Sequence, residues 1–469
     1  MRRLYTLLIY CVVPFAFAMV MWRGLGEHRD GRRSGARGDG RWPGEHRDGR
    51  GSGARADGRG WVERGYWRQL GERFGWGGRL SAPGSIWLHA VSLGEMSAAA
   101  PLVRALRSQY PQTPLVLTTA TQTGRARASS SFGDTVDVRF LPYDTPGAVA
   151  RFLDRIRPRL AIIMETELWP NLFTECERRG VPLVLASARL SAKSVLRYRR
   201  FGSLFRGMFS ASSLIAAQTP QDAERFVAIG AQSARTRVVG NIKFDMELAE
   251  GVMDRGRELR SAFGSARPTW IAGSTHAGEE DQVLAAHAEL RRAEPSALLL
   301  LVPRHPDRFD DVAAALSRRQ WGFTRRSSGV VPDTATPVVL VDTVGELAAL
   351  YAAADVAFVG GSLVPIGGHN LLEPAALGLP VLTGPFHSNS RDIARLLLSQ
   401  GAALEVADAR ELAAALARLL ADAAERQRMG AIGRHIVESN RGSVARLLEL
   451  IEPLLQGSPR AEARPSAGR

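Results

Sequence analysis

Two stretches of the chain alternate between short continuous apolar runs and longer segments with helical spacing. In the first stretch the apolar runs begin at Ile86, Pro114, Leu160, Pro182 and Leu214. Runs without polar alternation predict strands of a parallel sheet that is covered on both faces. The helical segments between the runs indicate a doubly wound α/β domain.

The same pattern begins again after Pro268, which predicts a second domain of the same kind. Its apolar runs start at Thr269, Ala297, Pro337, Asp355 and Pro380. The expected fold class is therefore α/β, with two Rossmann-like doubly wound domains that face a central cleft. Ligands of such sheets bind at the carboxyl ends of the strands, so polar residues at those ends are the candidate site residues. The expected boundaries are 62–243 for the first domain, 244–267 for a linker, 268–456 for the second domain and 457–469 for a disordered tail.

Residues 1–23 form a segment of another kind. Leu4 to Trp22 contains no charged residue, and its length is about that needed to cross a hydrocarbon core of ~30 Å. We interpret the segment as a retained N-terminal membrane-anchor helix, and the arginines around it favour a cytoplasmic body. A signal peptide is the alternative, although no clear small-x-small cleavage site follows. Pro14 also permits a kinked helix that lies in the membrane interface.

Residues 24–61 contain a tandem repeat rich in arginine, glycine and aspartate. The segment GEHRDGRRSGARGDGRWP begins at Gly26 and is nearly repeated from Gly44. It lacks the apolar residues that a core requires, so disorder is expected. A neutral linker and an electrostatic strap onto anionic lipid or nucleic acid are both compatible with this composition.

Net charge favours anionic partners for the 469-residue chain. The formal charge is +14, which fits nucleic acid, a negatively charged membrane face or phosphorylated substrates. The positive charge is spread along the chain without an RNA-binding signature, so nucleic acid is not an expected partner; a nucleic-acid-binding or scaffold protein is the alternative from another class. The two cysteines, Cys11 and Cys176, make a disulfide framework unlikely and fit a reducing compartment. No His/Cys/Asp cluster has metal-ligand spacing, and neither a metal nor a cofactor is expected.

Acidic residues and a lysine mark strand ends in the first half. Glu95 follows the first strand near a helix start, where it could interact with the helix dipole or act as a general base. Glu165 and Glu167 follow another strand, and burial of this pair would be costly unless solvent or a partner compensates. Helix capping is the alternative. Lys243 ends the first half, either solvated or paired with a phosphate or a carboxylate.

The second half has an arginine and a glycine-rich loop at its strand ends. Arg304 follows a strand and suits bidentate phosphate recognition, whereas we expect a structural role for His305. The loop Gly360–Gly368 enters a helix in which Glu373 could contact ribose hydroxyls. Glycines let backbone approach a phosphate, and a helix N-terminus offers free N–H groups. A tight structural turn is the alternative. The spacing fits neither the dinucleotide nor the P-loop fingerprint.

Several long motifs between about Tyr66 and about Leu455 follow one another in the order that is found in a known family. They read HAVSLGE, LPYD, METELWPN, ARLS, GNIKFD, STHAGEE, VPRHPDRF, DTVGEL and FVGGSLVPIGGHNLLEPA. With them the chain resembles the Kdo transferases of lipopolysaccharide synthesis, which have the GT-B fold. The resemblance implies inverting transfer of Kdo, an acidic eight-carbon sugar, from CMP-Kdo to the lipid A precursor lipid IVA. It also implies an inner-membrane location next to anionic lipids.

The same resemblance assigns roles to residues of this sequence. It implies that Glu95 is the general base and that Glu165 and Lys243 assist the transition state. The residues implied to bind CMP are Pro303, Arg304, Val344, Gly345, Glu346, Asn370, Leu371, Leu372 and Glu373. Two enzymes of the same fold remain as alternatives: a transferase that uses a UDP- or GDP-sugar, and a nucleotide-sugar epimerase, which would need no anchor.

Overall fold

The computed structural model describes residues 2–13, 70–80 and 82–457. These residues divide into two compact units. The first contains the described residues up to Met246 and those from Gly442 onwards, and the second is Glu247–Arg441. The repeat at 24–61 and all of the tail at 457–469 except Gly457 lie outside the described residues.

The first unit is built on a parallel sheet of seven strands in the order β3-β2-β1-β4-β5-β6-β7. The strands are β1 (Ser85–His89), β2 (Leu115–Thr119), β3 (Asp137–Phe140), β4 (Pro158–Met164), β5 (Leu183–Ala188), β6 (Leu214–Ala217) and β7 (Thr236–Val238). The helices are α1 (Leu93–Gln109), α2 (Gln122–Phe132), α3 (Pro146–Ile156), α4 (Pro170–Arg178), α5 (Ala192–Arg199), α6 (Gly202–Ala211) and α7 (Pro220–Ala228).

The second unit has its own parallel seven-stranded sheet, in the order β10-β11-β9-β8-β12-β13-β14. Its strands are β8 (Thr269–Thr275), β9 (Leu298–Pro303), β10 (Phe323–Arg325), β11 (Val338–Leu340), β12 (Val356–Val359), β13 (Val381–Thr383) and β14 (Ala403–Glu405). The helices are α8 (Val252–Phe263), α9 (Glu280–Ala293), α10 (Phe309–Arg318), α11 (Leu347–Ala352), α12 (Leu372–Ala376), α13 (Arg391–Ser399), α14 (Ala409–Ala421) and α15 (Ala423–Ser439). A last helix, α16 (Ser443–Gln456), belongs to the first unit.

All ten strands predicted from apolar runs are present, and the four that the sequence did not reveal are the outer strands of the two sheets. These are β3, β7, β10 and β14. A central strand is buried on both faces, which requires a continuous apolar run. The outer strands are only three or four residues long and each contains a polar or charged side chain, so no continuous apolar run marks them.

The domain boundaries differ from the expected ones at both ends of the second unit. The segment 244–267, expected as a linker, contains α8, which packs on α11 in the second unit. Arg260 of α8 forms an ion pair with Asp355 at 2.9 Å. The helix α16, expected in the second domain, instead buries Leu447 and Ile451 in the hydrophobic core of the first unit, against one face of its sheet. The apolar face of α16 therefore places this helix in the first unit.

The N-terminal segment is described only over residues 2–13, which are helical. Tyr5 donates a hydrogen bond to Asp144 and Thr6 donates one to Asn171, each at 2.9 Å. Within the described ranges, no helix is long and apolar enough to span a bilayer. The rest of the expected anchor, from residue 14 to residue 23, lies outside the described residues.

Candidate active site

The predicted catalytic residues of the first unit lie at the point where the strand order of its sheet reverses, between β1 and β4. The strands β1 and β4 are hydrogen-bonded neighbours, although two other strands lie between them in the chain. Glu95 lies in the first turn of α1, just after β1, and Glu165 follows β4 directly. Ligands of doubly wound sheets bind at such a switch point, at the carboxyl ends of the strands.

Glu95 uses one carboxylate oxygen in capping a helix, and its other oxygen accepts no hydrogen bond in the described structure. Ser92 begins α1 as its N-cap and accepts a hydrogen bond from the Glu95 N–H at 3.3 Å. The Glu95 Oε2 atom in turn accepts the Val91 N–H at 2.8 Å, which is close to the reciprocal arrangement of a capping box. In the described part of the chain, Oε1 accepts no hydrogen bond. One oxygen therefore holds the side chain in place while the other stays available to a ligand.

The environment of Glu95 raises the pKa of its carboxyl group to about 7. Burial is the largest cause, and the nearby carboxylates of Glu165 and Glu167 add to it. The Val91 N–H and the Lys243 ammonium act in the opposite direction. A carboxylate with a pKa near neutrality is suited to general-base catalysis, because about half of it is ionised at pH 7 and the ionised form binds a proton well.

Glu165 adopts a strained backbone conformation and binds two cations. Its φ angle is +53°, in the left-handed region that costs a residue with a side chain ~1–2 kcal/mol. Its Oε1 accepts the Lys243 ammonium at 3.1 Å, and its Oε2 accepts the Arg189 guanidinium at 3.0 Å. The structure thus brings Glu165 and Lys243 into contact and adds Arg189 from the ARLS motif.

Lys243 lies on a short 3₁₀ turn that is fixed at both ends. The turn, Ile242–Asp245, begins with Asn241, whose side chain accepts the Lys243 N–H at 3.0 Å. At its other end the Asp245 carboxylate accepts the backbone N–H groups of Gly442 and of Val444, the latter at 2.7 Å. Asp245 therefore caps α16, and the turn that carries Lys243 is held against this helix.

Two other motif residues of the first unit are fully or partly buried carboxylates, Asp144 and Glu167. Asp144, from the LPYD motif, accepts the backbone N–H groups of Asn171 at 3.0 Å and of Leu172 at 2.8 Å, which caps α4. Burial raises the pKa of the Asp144 carboxyl group to about 7. Burial also raises the pKa of Glu167, and the adjacent Glu165 adds to this shift. The expected cost of burying the acidic pair Glu165 and Glu167 is thus offset in two ways. Two cations bind Glu165, and the raised pKa of Glu167 favours its neutral form.

The predicted CMP-binding residues of the second unit also surround a switch point, between β8 and β12. Pro303 ends β9 and is buried, and the Arg304 N–H donates to the Thr275 carbonyl at the end of β8, at 2.9 Å. No hydrogen bond or ion pair of the Arg304 side chain is found within residues 82–457. The guanidinium is therefore available for an anionic ligand.

The glycine-rich loop after β12 has its first amides occupied by a carboxylate of the protein. Glu279 is fully buried and accepts the N–H groups of Gly361 at 2.7 Å, Ser362 at 3.0 Å and Leu363 at 2.9 Å. It also accepts the His276 N–H at 3.2 Å. The expectation that the whole loop cradles a phosphate is therefore wrong for this part. These amides bind Glu279, which fixes the shape of the loop.

The segment Val344–Gly345–Glu346 combines an exposed side chain with a bound one. Val344 is 77% exposed, and Gly345 has a φ angle of +94°, which favours glycine. Glu346 accepts hydrogen bonds from Thr343 at 2.6 Å and from Arg326 at 2.9 Å. Partial burial opposes ionisation of Glu346, but these two bonds and the nearby arginines leave its pKa lowered.

The segment Asn370–Glu373 offers two side chains and buries two others. Asn370 is exposed, accepts the Leu372 N–H at 3.1 Å and donates to Glu373 at 3.2 Å. Leu371 and Leu372 are each 1% exposed. Their side chains pack inside the unit, so only backbone atoms of these two predicted residues are suited to a polar ligand.

Three histidines meet beside Arg304, although the sequence had singled out only His305. The Nε2 atoms of His276 and His369 are 2.7 Å apart, and the His305 ring lies edge-on to His276 with ring centroids 5.3 Å apart. The signal that could have revealed this cluster is that each histidine follows a central strand. In the described ranges, no group of three or more His, Cys, Asp or Glu side chains is arranged to hold a metal ion.

Comparison with known families assigns both units. Residues 68–246 match the family described as 3-deoxy-D-manno-octulosonic-acid transferase (kdotransferase), and residues 338–436 match glycosyl transferases group 1. The 3-deoxy-D-manno-octulosonic acid transferase of Haemophilus influenzae is 42% identical over 394 residues, which cover 83% of this chain and 92% of the relative. The enzyme of the same name from Bordetella pertussis is 41% identical over 385 residues, with 80% and 88% covered.

Solved structures show the same fold in proteins of different activity. A glycosyltransferase from Rickettsia africae has a TM-score of 0.53 at 11% identity, with 80% of this chain and all of the other covered. A UDP-GlcNAc 2-epimerase from Neisseria meningitidis has a TM-score of 0.52 at 13% identity, with 78% and 99% covered. Such likeness shows a GT-B-like fold alone, because transferases and epimerases share it. The identity over most of both chains is what decides: this chain belongs to the Kdo transferase family and is a glycosyltransferase.

Proposed function

We propose that this Kdo transferase moves Kdo from CMP-Kdo to the lipid A precursor lipid IVA, with inversion at the anomeric carbon. The observation that carries the proposal is the Glu95 carboxylate, which has one unbonded oxygen in the described structure and a pKa raised to about 7 at the switch point. Such a group suits an acceptor that must lose a proton as it reacts, which a sugar hydroxyl does.

The reaction is a single displacement. Glu95 takes the proton of the acceptor hydroxyl as its oxygen bonds to the anomeric carbon of Kdo. The bond between that carbon and the phosphate oxygen breaks, and its electron pair leaves with CMP. Because the hydroxyl attacks opposite to the leaving phosphate, the configuration inverts. Below pH ~7 Glu95 is mostly protonated and cannot act as the base.

Glu165, Lys243 and Arg189 form a charged cluster that stabilises negative charge on the reactants. Lys243 and Arg189 carry two positive charges, and Glu165 carries one negative charge. The two cations outnumber the one carboxylate that binds them, which leaves a positive charge on their side of Glu165. That charge stabilises the donor carboxylate or the negative charge that develops on the leaving phosphate. Glu165 holds Lys243 in one position, so little reorganisation is needed during the reaction.

The second unit supplies the nucleotide-binding residues. Arg304 has a free guanidinium in the described structure, and it suits the phosphate of CMP by charge and geometry. The exposed Asn370 and the adjacent Glu373 offer an amide and a carboxylate to the ribose or the base. The Glu279-bound loop keeps these groups in place. A phosphomonoester leaving group requires no second phosphate to be bridged, so we expect activity in EDTA.

We further propose that the enzyme acts at the cytoplasmic face of the inner membrane. The uncharged segment Leu4–Trp22 and the arginines that flank it support this location. The net charge of +14 supports attraction to anionic lipid head groups and to a phosphorylated lipid acceptor. The number of Kdo residues added depends on the shape of the acceptor site and is read from the product.

Transfer by the purified full-length enzyme tests the proposed substrates. CMP-Kdo with labelled Kdo, prepared in a separate Mg²⁺-containing reaction immediately before use, would be offered with tetraacylated lipid A precursor and excess EDTA, and parallel reactions would contain UDP-sugars. We expect labelled lipid only with CMP-Kdo. Transfer from a UDP-sugar, with none from CMP-Kdo, would assign another donor and overturn the proposal. Loss of transfer in EDTA that Mg²⁺ restores would overturn its metal independence.

A further inference from the structure

His276 and His369 are joined directly through their ring nitrogens. Their Nε2 atoms are 2.7 Å apart, and the ring planes differ by 6° with centroids 5.0 Å apart. Parallel planes with this short contact describe two rings edge to edge, linked by one N–H···N hydrogen bond. One Nε2 therefore carries a proton and the other accepts it.

This geometry limits the pair to one additional proton. If both Nε2 atoms carried hydrogens, two donors would face each other at 2.7 Å and the contact would separate. The pair can instead gain one proton at an outer ring nitrogen, which gives an imidazolium bonded to a neutral imidazole. The pair can thus switch between a charge of zero and a charge of +1 while the bond remains.

Two arginines lie near the pair, and one of them, Arg308, is paired with Glu280 at 2.6 Å. His305, Arg304 and Arg308 all lower the pKa of His276, after burial, which is the largest cause. Burial likewise lowers the pKa of His369 to about 4, with His276, Arg304 and His305 as further causes. The Glu279 carboxylate accepts backbone N–H groups that include that of His276. Within residues 82–457 no carboxylate bonds to either imidazole ring, so the pair is neutral at pH 7 until an anion arrives.

The backbone leaves space for the pair at the switch point of the second sheet. Gly361 has a φ angle of +69°, and a Cβ atom there would lie 3.0 Å from the His369 ring and 3.5 Å from the His276 ring. His276 follows β8, and His369 follows β12, the neighbouring strand across the switch point. His369 also directly precedes Asn370, and Arg304 lies close to both histidines. The pair is therefore next to the residues predicted to bind the nucleotide.

We propose that the His276–His369 pair is an anion subsite for the phosphate of the nucleotide, and that it takes up a proton when this phosphate binds. The inference rests on the proposed function, because it assumes a cytidine monophosphate ligand. A bound phosphate offsets the positive charge of Arg304 and of Arg308, which Glu280 already pairs, so its arrival removes an electrostatic obstacle to protonation. As the glycosidic bond breaks, the phosphate gains a second negative charge, which the protonated pair and Arg304 stabilise.

Proton uptake on CMP binding tests this inference in the full-length enzyme. Calorimetric titrations at pH 7.5 in buffers of different ionisation enthalpy give the number of protons exchanged per CMP bound. We would compare wild type with His369→Gln, since glutamine can keep the hydrogen bond to His276 but does not titrate. His435→Gln is the matched control, because His435 is an exposed histidine on α15 that bonds only to Ser439 in the described structure.

We expect wild type and His435→Gln to take up more protons than His369→Gln, by a substantial fraction of one proton per CMP. The phosphate of CMP has a pKa near 6 and is almost fully ionised at pH 7.5, so its own proton exchange is small and the difference reports on the pair. The wild-type affinity for CMP should also fall more steeply than that of His369→Gln between pH 7 and pH 8.5. His276→Gln repeats the test at the other ring.

The controls separate the failure of this inference from the failure of the proposed function. Cytidine, which has no phosphate, should cause no excess uptake by wild type. If free Kdo causes the uptake and CMP does not, the pair binds a carboxylate and the phosphate assignment is overturned. CMP binding with equal proton counts in wild type and His369→Gln would overturn the inference and leave the function standing. Failure of folded wild type to bind CMP at all would overturn the proposed donor.

Discussion

Lys243 Nζ lies 3.1 Å from Glu165 Oε1, and the two residues are 78 positions apart in the chain. Glu165 reaches this contact from a left-handed backbone conformation directly after β4. Strain of this kind persists only where the surroundings enforce it, and it is frequent at functional sites. The second carboxylate oxygen binds Arg189 at 3.0 Å, so Glu165 holds two cations beside Glu95.

Removal of the Lys243 ammonium should slow catalysis with little effect on stability. We expect Lys243→Met to lower kcat by about 10²–10³-fold, the usual cost of one preorganised electrostatic contact. The side chains of Lys243 and Glu165 are 24% and 12% exposed, so the variant should still fold. The measurement is kcat for Kdo transfer, with Lys193→Met as the matched control, because Lys193 is exposed and is the only other lysine in the chain. A loss below threefold would remove Lys243 from the catalytic assignment.

Glu95 should destabilise the protein at alkaline pH. Its pKa in the folded state is raised from 4.5 to about 7, so the native state holds its proton more tightly than the unfolded chain does. Stability from this group is therefore complete below pH ~4.5 and is lost as the pH rises through ~7. Glu95→Gln removes the loss, and we expect a higher Tm than wild type at pH 8, corresponding to ~1–3 kcal/mol, but an equal Tm at pH 4.5. A difference of the same size at both pH values would contradict the raised pKa.

Glu279 should govern nucleotide affinity without touching the ligand. Each carboxylate oxygen of Glu279 accepts two backbone N–H groups. In Glu279→Gln one of these oxygens becomes an NH₂ group, whose N–H donors then face the backbone N–H donors. We expect the loop after β12 to loosen and the Kd for CMP to rise by at least tenfold. Calorimetric titration with CMP provides the measurement, and Glu294→Gln, at the C-terminal end of α9, is the control. Unchanged affinity in a folded Glu279→Gln variant would show that the loop does not position the nucleotide-binding residues.

The sequence predicted the interior of each sheet well and its edges poorly. The strand β4 could be predicted from the run at Leu160 because both of its faces are buried. The strand β7 could not, since Arg237 and Val238 face solvent and leave no apolar run. The position of α16 was also hidden, because an amphipathic helix near the chain end carries no mark of which sheet it covers.

A role for a single residue of the site could be proposed from the one motif that contains it. The motifs predicted catalytic roles for Glu95, Glu165 and Lys243, which stay predictions, and the structure shows that Glu165 and Lys243 are in contact. Contacts between motifs were not predictable, since they depend on strand order. The bond between Glu279 and Gly361 spans 82 positions and the one between His276 and His369 spans 93. Both join loops that become neighbours only because β8 pairs with β12.

Single-turnover transfer as a function of pH tests the central claim that Glu95 is the general base. Enzyme in excess over labelled CMP-Kdo, with tetraacylated lipid A precursor, would be sampled from pH 5 to pH 9 for wild type and for Glu95→Gln. We predict that the wild-type rate rises with pH through a midpoint near 7, the pKa of Glu95, and then levels off. Glu95→Gln should bind CMP normally, lose at least 10²-fold in rate and show no such midpoint. A Glu95→Gln enzyme that retains both the wild-type rate and its pH profile would contradict the assignment.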